Sequence, residues 1–359
     1  MKYVDEFRQA KLIEQLTAAI ASITKNHWQI MEICGGQTHS ILKYGLDRLL
    51  PDSISLVHGP GCPVCVTPAL TLDQSIAIAT QQKEVIFCTF GDMLHVPGTY
   101  GDLAQAKANG ADIKIVYSPL DALLLAQNLP EKEIVFLAIG FETTAPATAL
   151  AVKRAADLQL KNFSIVCAHV LVPPAMIKLL DYPQSQIQGF LAAGHVCTVT
   201  GYQAYRPIAQ KYQVPIVVTG FEPADILQGI YHCIKQLEMG EFTVKNCYCR
   251  SVKMTGNLPS LKMIDEVFTV VDRQWRGIGQ ISNSGWALRE KYRFFDALER
   301  FSDLPLSQKD SSTICGEILQ GLRKPEQCPH FGIDCQPEHP LGAPMVSSEG
   351  ACAAYYLYE

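Results

Sequence analysis

WQIMEICGGQTH, residues 28–39, decides the architecture. The mostly apolar run WQIMEI is too short for a buried helix and suits a buried strand. It stops abruptly at a cysteine and two glycines. A helical pattern follows, and then SISLVH (53–58) halts in the same way at GPGCPVC. EVIFCTF (84–90) halts at GDM, and IKIVYS, EIVFLAIG, FSIVCAHV, IQGFLAA and VPIVVTG continue the rhythm, with helical stretches between most of them. Such alternation predicts βαβ units, and hence an α/β fold of parallel sheets covered by helices on both faces.

The glycine-rich motifs CGGQTH, GPGCPVC, CTFGDM, GFETTAP, GHVCTVTG and TGFEP each follow an apolar run directly. Loops at the carboxyl ends of parallel strands line the ligand crevice of open α/β sheets. The six loops fall into two groups, residues 34–98 and 140–223. The reading is therefore two α/β domains, 1–135 and 136–242, whose loop faces meet across a cleft. Beyond residue 243 the rhythm fails. Turn residues and cysteines dominate VKNCYCRSVKMTGNLP, RGIGQISNSG and the segment from Ser307 to Glu359, so a third, smaller and irregular domain is expected over 243–359.

With 359 residues, 48% hydrophobic and 18% charged, the chain can bury a large core without disulfide staples. A net charge of −5 with both signs mixed along the sequence leaves no basic stripe, which argues against a nucleic-acid partner. No stretch approaches the roughly 18–20 apolar residues of a membrane span, and MKYVDEFRQAK has no signal-peptide h-region. The expectation is a cytoplasmic protein. Thirteen cysteines are many for a reducing compartment, and the odd count opposes complete pairing. Metal, cluster or redox duty is expected for some, and ordinary burial for others. Cys88, Cys167 and Cys233 lie within apolar or helical patterns and read as core, while Cys197 is left open by its loop. Cys247 and Cys249 would project from one face of an extended segment.

The spacing Cys315-x12-Cys328-x6-Cys335-x16-Cys352 runs through a proline-rich stretch. Compact loops there can gather four thiolates around one centre, as a [4Fe–4S] cluster or a structural zinc requires. The paired CxxC knuckles of zinc ribbons are absent from it. Four separately buried thiols are the plainer alternative, but a helix-poor segment offers little core for them. Cys34 sits between a strand and a helix, where backbone N–H groups would lower its pKa and make it a reactive thiol or metal ligand. Gly35 and Gly36 would let a ligand approach the backbone. The rival reading is a structural cysteine. His39 could act as base or supporting donor, or cap the helix. Cys62-Pro-Val-Cys65 opens a helix and is either a disulfide-forming dithiol or half of a zinc site completed by His58 or His39. Asp92, Glu142, His195 and Glu222 project from crevice loops, where they could bind metal, move protons or orient a partner, or simply cap turns.

Taken together, MEICGGQTH, HGPGCPVCVTP, FCTFGDM, GFETTAPATA, AAGHVCTVTG, VVTGFEP and MVSSEGACAAYY resemble the signature blocks of the [NiFe]-hydrogenase maturation factor HypD family. The resemblance spans residues 28–358. It implies two α/β domains facing a cleft plus a [4Fe–4S] domain. It also implies a scaffold, working with the chaperone HypC, on which an Fe(CN)2(CO) group is assembled. Cyanide would come from HypE, which receives its carbamoyl precursor through HypF. By the same resemblance Cys34 holds transient iron carrying CN and CO ligands together with a HypC cysteine. Cys62 and Cys65 form a redox-active dithiol, Cys315, Cys328, Cys335 and Cys352 hold the cluster, and His195 matches the histidine of GHVCTVTG.

Two departures matter. Pro344 stands where many relatives have a further cysteine, which leaves four cluster candidates. His95 in GDMLHVPG replaces a frequent arginine and weakens any anion-binding role there. The expected mechanism has an electron donor feeding the cluster, electrons passing to Cys62–Cys65, and cyanide delivered reductively to iron at Cys34. A cluster-dependent protein disulfide reductase is the competing class, needing the cluster and the CxxC but neither Cys34 nor further iron. A zinc-stabilised binding module is the third.

Overall fold

The computed structural model describes residues 2, 4–81, 84–301, 304–305 and 314–358. Ser307, where the irregular cysteine segment was expected to begin, lies outside them. The predicted apolar runs become strands: β1 Trp28–Glu32, β2 Ile54–His58, β3 Val85–Thr89, β4 Asp112–Ile115, β5 Glu133–Gly140, β6 Phe163–His169, β7 Gly189–Ala193 and β8 Ile216–Thr219. A short β9, Val244–Asn246, follows. All nine pair in parallel. β3, β7 and β8 are buried at every position, because helices cover both faces and both must be apolar. That is why these strands read as continuous apolar runs. Near the start of the chain Ala10–Ile23 forms a helix, after a single 3-10 turn at Asp5–Phe7.

One sheet has the order β2-β1-β7-β8-β9 and the other β4-β3-β5-β6. The chain leaves the first sheet after β2, builds the whole second sheet, and returns with β7. The sheets are thus interleaved along the sequence, and the boundary expected at residue 135 falls inside β5. Periodicity marks strands but does not say which sheet each one joins.

The region after 243 is more regular than the sequence suggested. β10 Phe268–Trp275 and β11 Gly279–Leu288 form an antiparallel hairpin. Leu171 N–H donates to Ser284 O at 2.8 Å, and Phe268, Trp286 and Leu288 share a core with Ile134, Phe136, Phe163 and Ile165. The hairpin therefore extends the second α/β unit. Its strands were hidden because β10 is largely half-buried or exposed and β11 opens on the polar run GQISNSG. Met31, Val57 and Phe190 of the first sheet join Phe87, Val135 and Val166 of the second in one continuous core with Trp275. Each such fully buried side chain contributes about 1.5–3 kcal/mol.

In the first sheet the direction of winding reverses between β1 and β7. That reversal opens a crevice at the carboxyl ends of these two strands, where ligands bind in open α/β sheets. The second sheet faces the same place. Ile33 and Pro60, after β1 and β2, line one small apolar cavity with Phe141, after β5, and with Trp275.

Candidate functional site

Cys34 lies two residues beyond β1 and is the N-cap of the helix Gly35–Lys43; His195 follows β7 in the helix Gly194–Thr200. Parallel pairing of Ile30, Met31 and Glu32 with Gly189, Phe190 and Leu191 carries both chain ends to the crevice. Cys34 Sγ stands 3.8 Å from His195 Nδ1, although 161 residues separate them. The His195 ring lies against Phe221 at 5.1 Å, so the TGFEP loop roofs the pair.

Cys34 does not have the lowered pKa expected at a helix start. Burial pushes its thiol up, the charges of Glu349 and Glu32 add to this, and the N–H groups of Gln37 and Gly36 only partly offset it. A thiol 3% exposed loses more by desolvation than two backbone dipoles return. Burial also lowers His195 to about 4. Thiol and imidazole are therefore both neutral near pH 7.

The flanking glycines serve close packing of the chain rather than approach of a ligand. A Cβ on Gly35 would lie 2.2 Å from Glu349 O, and one on Gly36 3.3 Å from the Phe221 ring. On the other side a Cβ on Gly61 would lie 2.3 Å from Cys34 N, and Gly35 N–H donates to Gly61 O at 3.2 Å. The GPGC loop is thus pressed directly on the Cys34 backbone.

That loop carries the dithiol. Cys62 caps the short helix Pro63–Val66, with proline at its first position. Cys65 Sγ donates to Ala343 O at 3.9 Å, and its thiol is held well above the usual range by burial and then by the neighbouring Cys62. Cys352 and Glu349 are near enough to push it further. His58 and His39 do not complete a zinc site here. His58 Nδ1 donates to Glu32 Oε1 at 2.6 Å and Nε2 accepts from Tyr355 at 3.0 Å, while His39 Nε2 meets the Tyr358 hydroxyl at 3.2 Å. The structure does not bring His39 to Cys34.

Cys315, Cys328, Cys335 and Cys352 gather in one place. Cys335 and Cys352 share a buried cluster against which Cys328 packs, and Cys352 is raised first by burial and then by Cys315, Cys335 and Cys328. Gly342 is required beside them, since its Cβ would lie 2.3 Å from Cys315 Sγ. Leu341 N–H donates to Cys335 Sγ at 3.4 Å. Pro344, in the turn Ala343–Met345, is buried next to this loop. Among the described residues no three or more His, Cys, Asp or Glu side chains are arranged to hold a single metal ion, so these thiols do not form a compact zinc tetrahedron.

The remaining loop residues divide. Asp92 accepts from Ser347 Oγ at 2.6 Å, tying the GDM loop to the SSEGAC segment. Glu222 is engaged by Arg8, whose Nη2 donates to Oε1 at 2.9 Å. Glu142 is buried; its Oε1 accepts from Val172 N–H at 3.0 Å, and its Oε2 has no partner. Cys88, Cys167, Cys197 and Cys233 are buried, as expected for the three read as core. Cys247 and Cys249 do not share a face: Cys247 is half-buried and Cys249 lies exposed in a turn after β9 has ended. His95 is exposed.

Residues 10–359 match the family model HypD, described as the hydrogenase formation hypA family. The chain belongs to the HypD family. It is 47% identical to the hydrogenase maturation factor HypD of Rhodobacter capsulatus and 46% identical to that of Escherichia coli K12, covering 100% of this chain and 98% of each relative. It is 45% identical to the hydrogenase expression/formation protein HupD of Azotobacter chroococcum, over 100% of this chain and 97% of the relative.

Two acids of this chain escaped the sequence reading. Glu32, 1% exposed, is the hub of the first loop: it accepts from Cys34 N–H at 2.9 Å, from His58, and from the Thr38 hydroxyl. A lone acid inside the apolar run WQIMEI was the available signal. Glu349 keeps contact with solvent, yet the surrounding protein and then the charge of Asp92 raise its carboxyl pKa. Only its place in the SSEGAC block marked it.

Proposed function

We propose that the chain is a hydrogenase maturation factor that acts with other maturation proteins, and that its crevice holds an iron carrying cyanide and carbonyl during assembly. Cys34 supplies one thiolate to that substrate and a HypC-type chaperone another, with a HypE-type protein as cyanide donor. The observation that supports this most is the 3.8 Å approach of Cys34 to His195, on a loop packed against the Cys62–Cys65 pair.

The protonation states favour a metal ligand over a nucleophile. Cys34 and His195 are both neutral near pH 7, so the pair is not a thiolate–imidazolium. A thiol of that kind gives up its proton when a cation arrives, because metal binding is coupled to proton release. Soft thiolate ligation suits an iron with strong-field diatomic ligands. Phe221 and Glu349 close over the site, and His195 orients the sulfur from β7. Oxidation of Cys62 and Cys65 to a disulfide would release two electrons and two protons, the equivalents a reductive delivery of cyanide consumes.

Cys315, Cys328, Cys335 and Cys352 fit a [4Fe–4S] cluster. Cys328, Cys335 and Cys352 pack together, Cys315 lies close enough to Cys352 to raise its pKa, and glycine at 342 leaves room for Cys315, so these four residues would be its ligands. When bound, the cluster supplies one-electron chemistry, drawn from an electron donor. The reductase alternative is disfavoured by access: at 3% and 0% exposure, Cys62 and Cys65 are out of reach of another protein's disulfide.

Metal analysis of protein purified anaerobically separates these readings. The scaffold predicts about four irons and four sulfides per chain, plus further iron that Cys34→Ala loses. A cluster alone, indifferent to Cys34, favours the reductase. Zinc without sulfide overturns both.

A further inference from the structure

We infer that Arg276, at the tip of the β10–β11 hairpin, is the fixed positive charge of the four-cysteine site and favours the reduced state of an iron–sulfur cluster held there. This deepens the function proposed above and rests on those cysteines binding a cluster.

The hairpin tip is wedged between the two thiol groups. Gly277 has φ +75, and a Cβ on it would lie 2.7 Å from Gly316 Cα, so the turn is pressed onto the helix Ile314–Leu319 that carries Cys315. Gln320 Nε2 donates to Gly277 O at 3.1 Å and fastens the contact. On its other side Arg276 reaches the dithiol helix Pro63–Val66. Its backbone N–H donates to Val66 O at 2.9 Å and its Nε to Thr67 O at 2.6 Å. Its Nη2 donates to Pro97 O at 2.7 Å, in the loop after β3.

All three acceptors are neutral carbonyls. Among the described residues no carboxylate forms an ion pair with this guanidinium, so its charge is held in place by neutral groups. The ionisable groups that act on it are Cys315, Cys65 and Asp73. Burial lowers its pKa to about 10, which leaves it protonated at neutral pH. Reducing a cluster adds one negative charge to the site. A cation fixed on the turn that packs against the Cys315 helix, close enough for Cys315 to act on it, favours that state, since cluster potential follows local charge, hydrogen bonding and solvent access. Asp73, 6% exposed, carries the opposing charge of the same neighbourhood.

The test is a dithionite titration of the full chain, purified anaerobically with its metal, with the cluster followed by visible absorption and electron paramagnetic resonance in the presence of mediator dyes. Arg276→Gln should lower the ratio of reduced to oxidised cluster at a fixed potential about tenfold, a shift of about 59 mV to more negative values for one electron. Arg276→Lys should stay near wild type, because it keeps the charge. Asp73→Asn, whose amide oxygen can still accept from Thr99 N–H, should shift the other way. If Arg276→Gln fails to hold a cluster, the lysine and Asp73 variants decide. A shift shared by the lysine and glutamine variants would assign Arg276 a purely structural role and overturn the inference. So would an unmoved potential in Asp73→Asn. A wild-type chain without sulfide would overturn the cluster reading and this inference together, whereas a wild-type cluster whose potential ignores Arg276 would overturn the inference alone.

Discussion

Replacing Glu142 by glutamine should protect the protein against alkaline pH. The carboxyl is 1% exposed, its Oε1 accepts one backbone N–H and its Oε2 meets nothing. Burial raises its pKa from 4.5 to about 7. The folded chain thus keeps this proton to higher pH than the unfolded chain does. The stability it contributes is complete below the unfolded value and is lost as pH rises through the folded one. The gap is 7 − 4.5, about 2.5 pH units, which at about 1.36 kcal/mol each is about 3 kcal/mol in all. Most of it falls between about pH 5 and about pH 8. Glutamine keeps the Oε1 acceptor for Val172 and cannot ionise. The stability of Glu142→Gln minus that of wild type should therefore rise by about 2–3 kcal/mol across that range. Urea unfolding of both proteins in parallel, in the same metal state and with equal slopes, measures this difference. A difference that stays flat with pH, or grows toward acid, would refute the reasoning.

Three further outcomes follow from the crevice. Because burial holds the Cys34 thiol up, iodoacetamide at about pH 8 should label it at least about 100-fold more slowly than exposed Cys249, and equal rates would contradict the burial argument. His58→Ala removes a donor from buried Glu32 and should cost about 1.5–3 kcal/mol in unfolding experiments; a change under about 0.5 kcal/mol would mean that Thr38 and Cys34 N–H suffice. Gly61→Ala drives a Cβ against the Cys34 backbone, so iron bound through Cys34 should fall while sulfide content persists. Retention of both would show that the loop can move aside.

Most of strands β1–β8 were legible because buried parallel strands are apolar at successive positions, and six of the eight runs stop at glycine-rich loops. Their partners were not. β1 pairs with β7, far along the chain, and nothing in a 2-residue or 3.6-residue period encodes that choice. The positions of Cys34, Cys62, Cys65 and His195 at strand ends could be read from the loops, but their electrostatics could not. The helix-start argument for Cys34 assumes solvent nearby, whereas Glu349, Phe221 and Gly61 enclose the thiol. Gly35 and Gly36 looked like room for a ligand because the residues that fill the space, Glu349 against Gly35 and Phe221 against Gly36, lie far along the chain. The hairpin bearing Arg276 was missed for the opposite reason: half-exposed strands with polar residues lack the apolar signature that exposes β5 or β7.

The proposed function stands or falls with Cys34 as the holder of the iron under assembly. Infrared spectroscopy of the chain purified with its HypC-type partner tests this most directly. The account predicts cyanide and carbonyl stretches in the wild-type complex and their loss in Cys34→Ala, with the sulfide content unchanged. Stretches of wild-type intensity in Cys34→Ala would place the iron elsewhere.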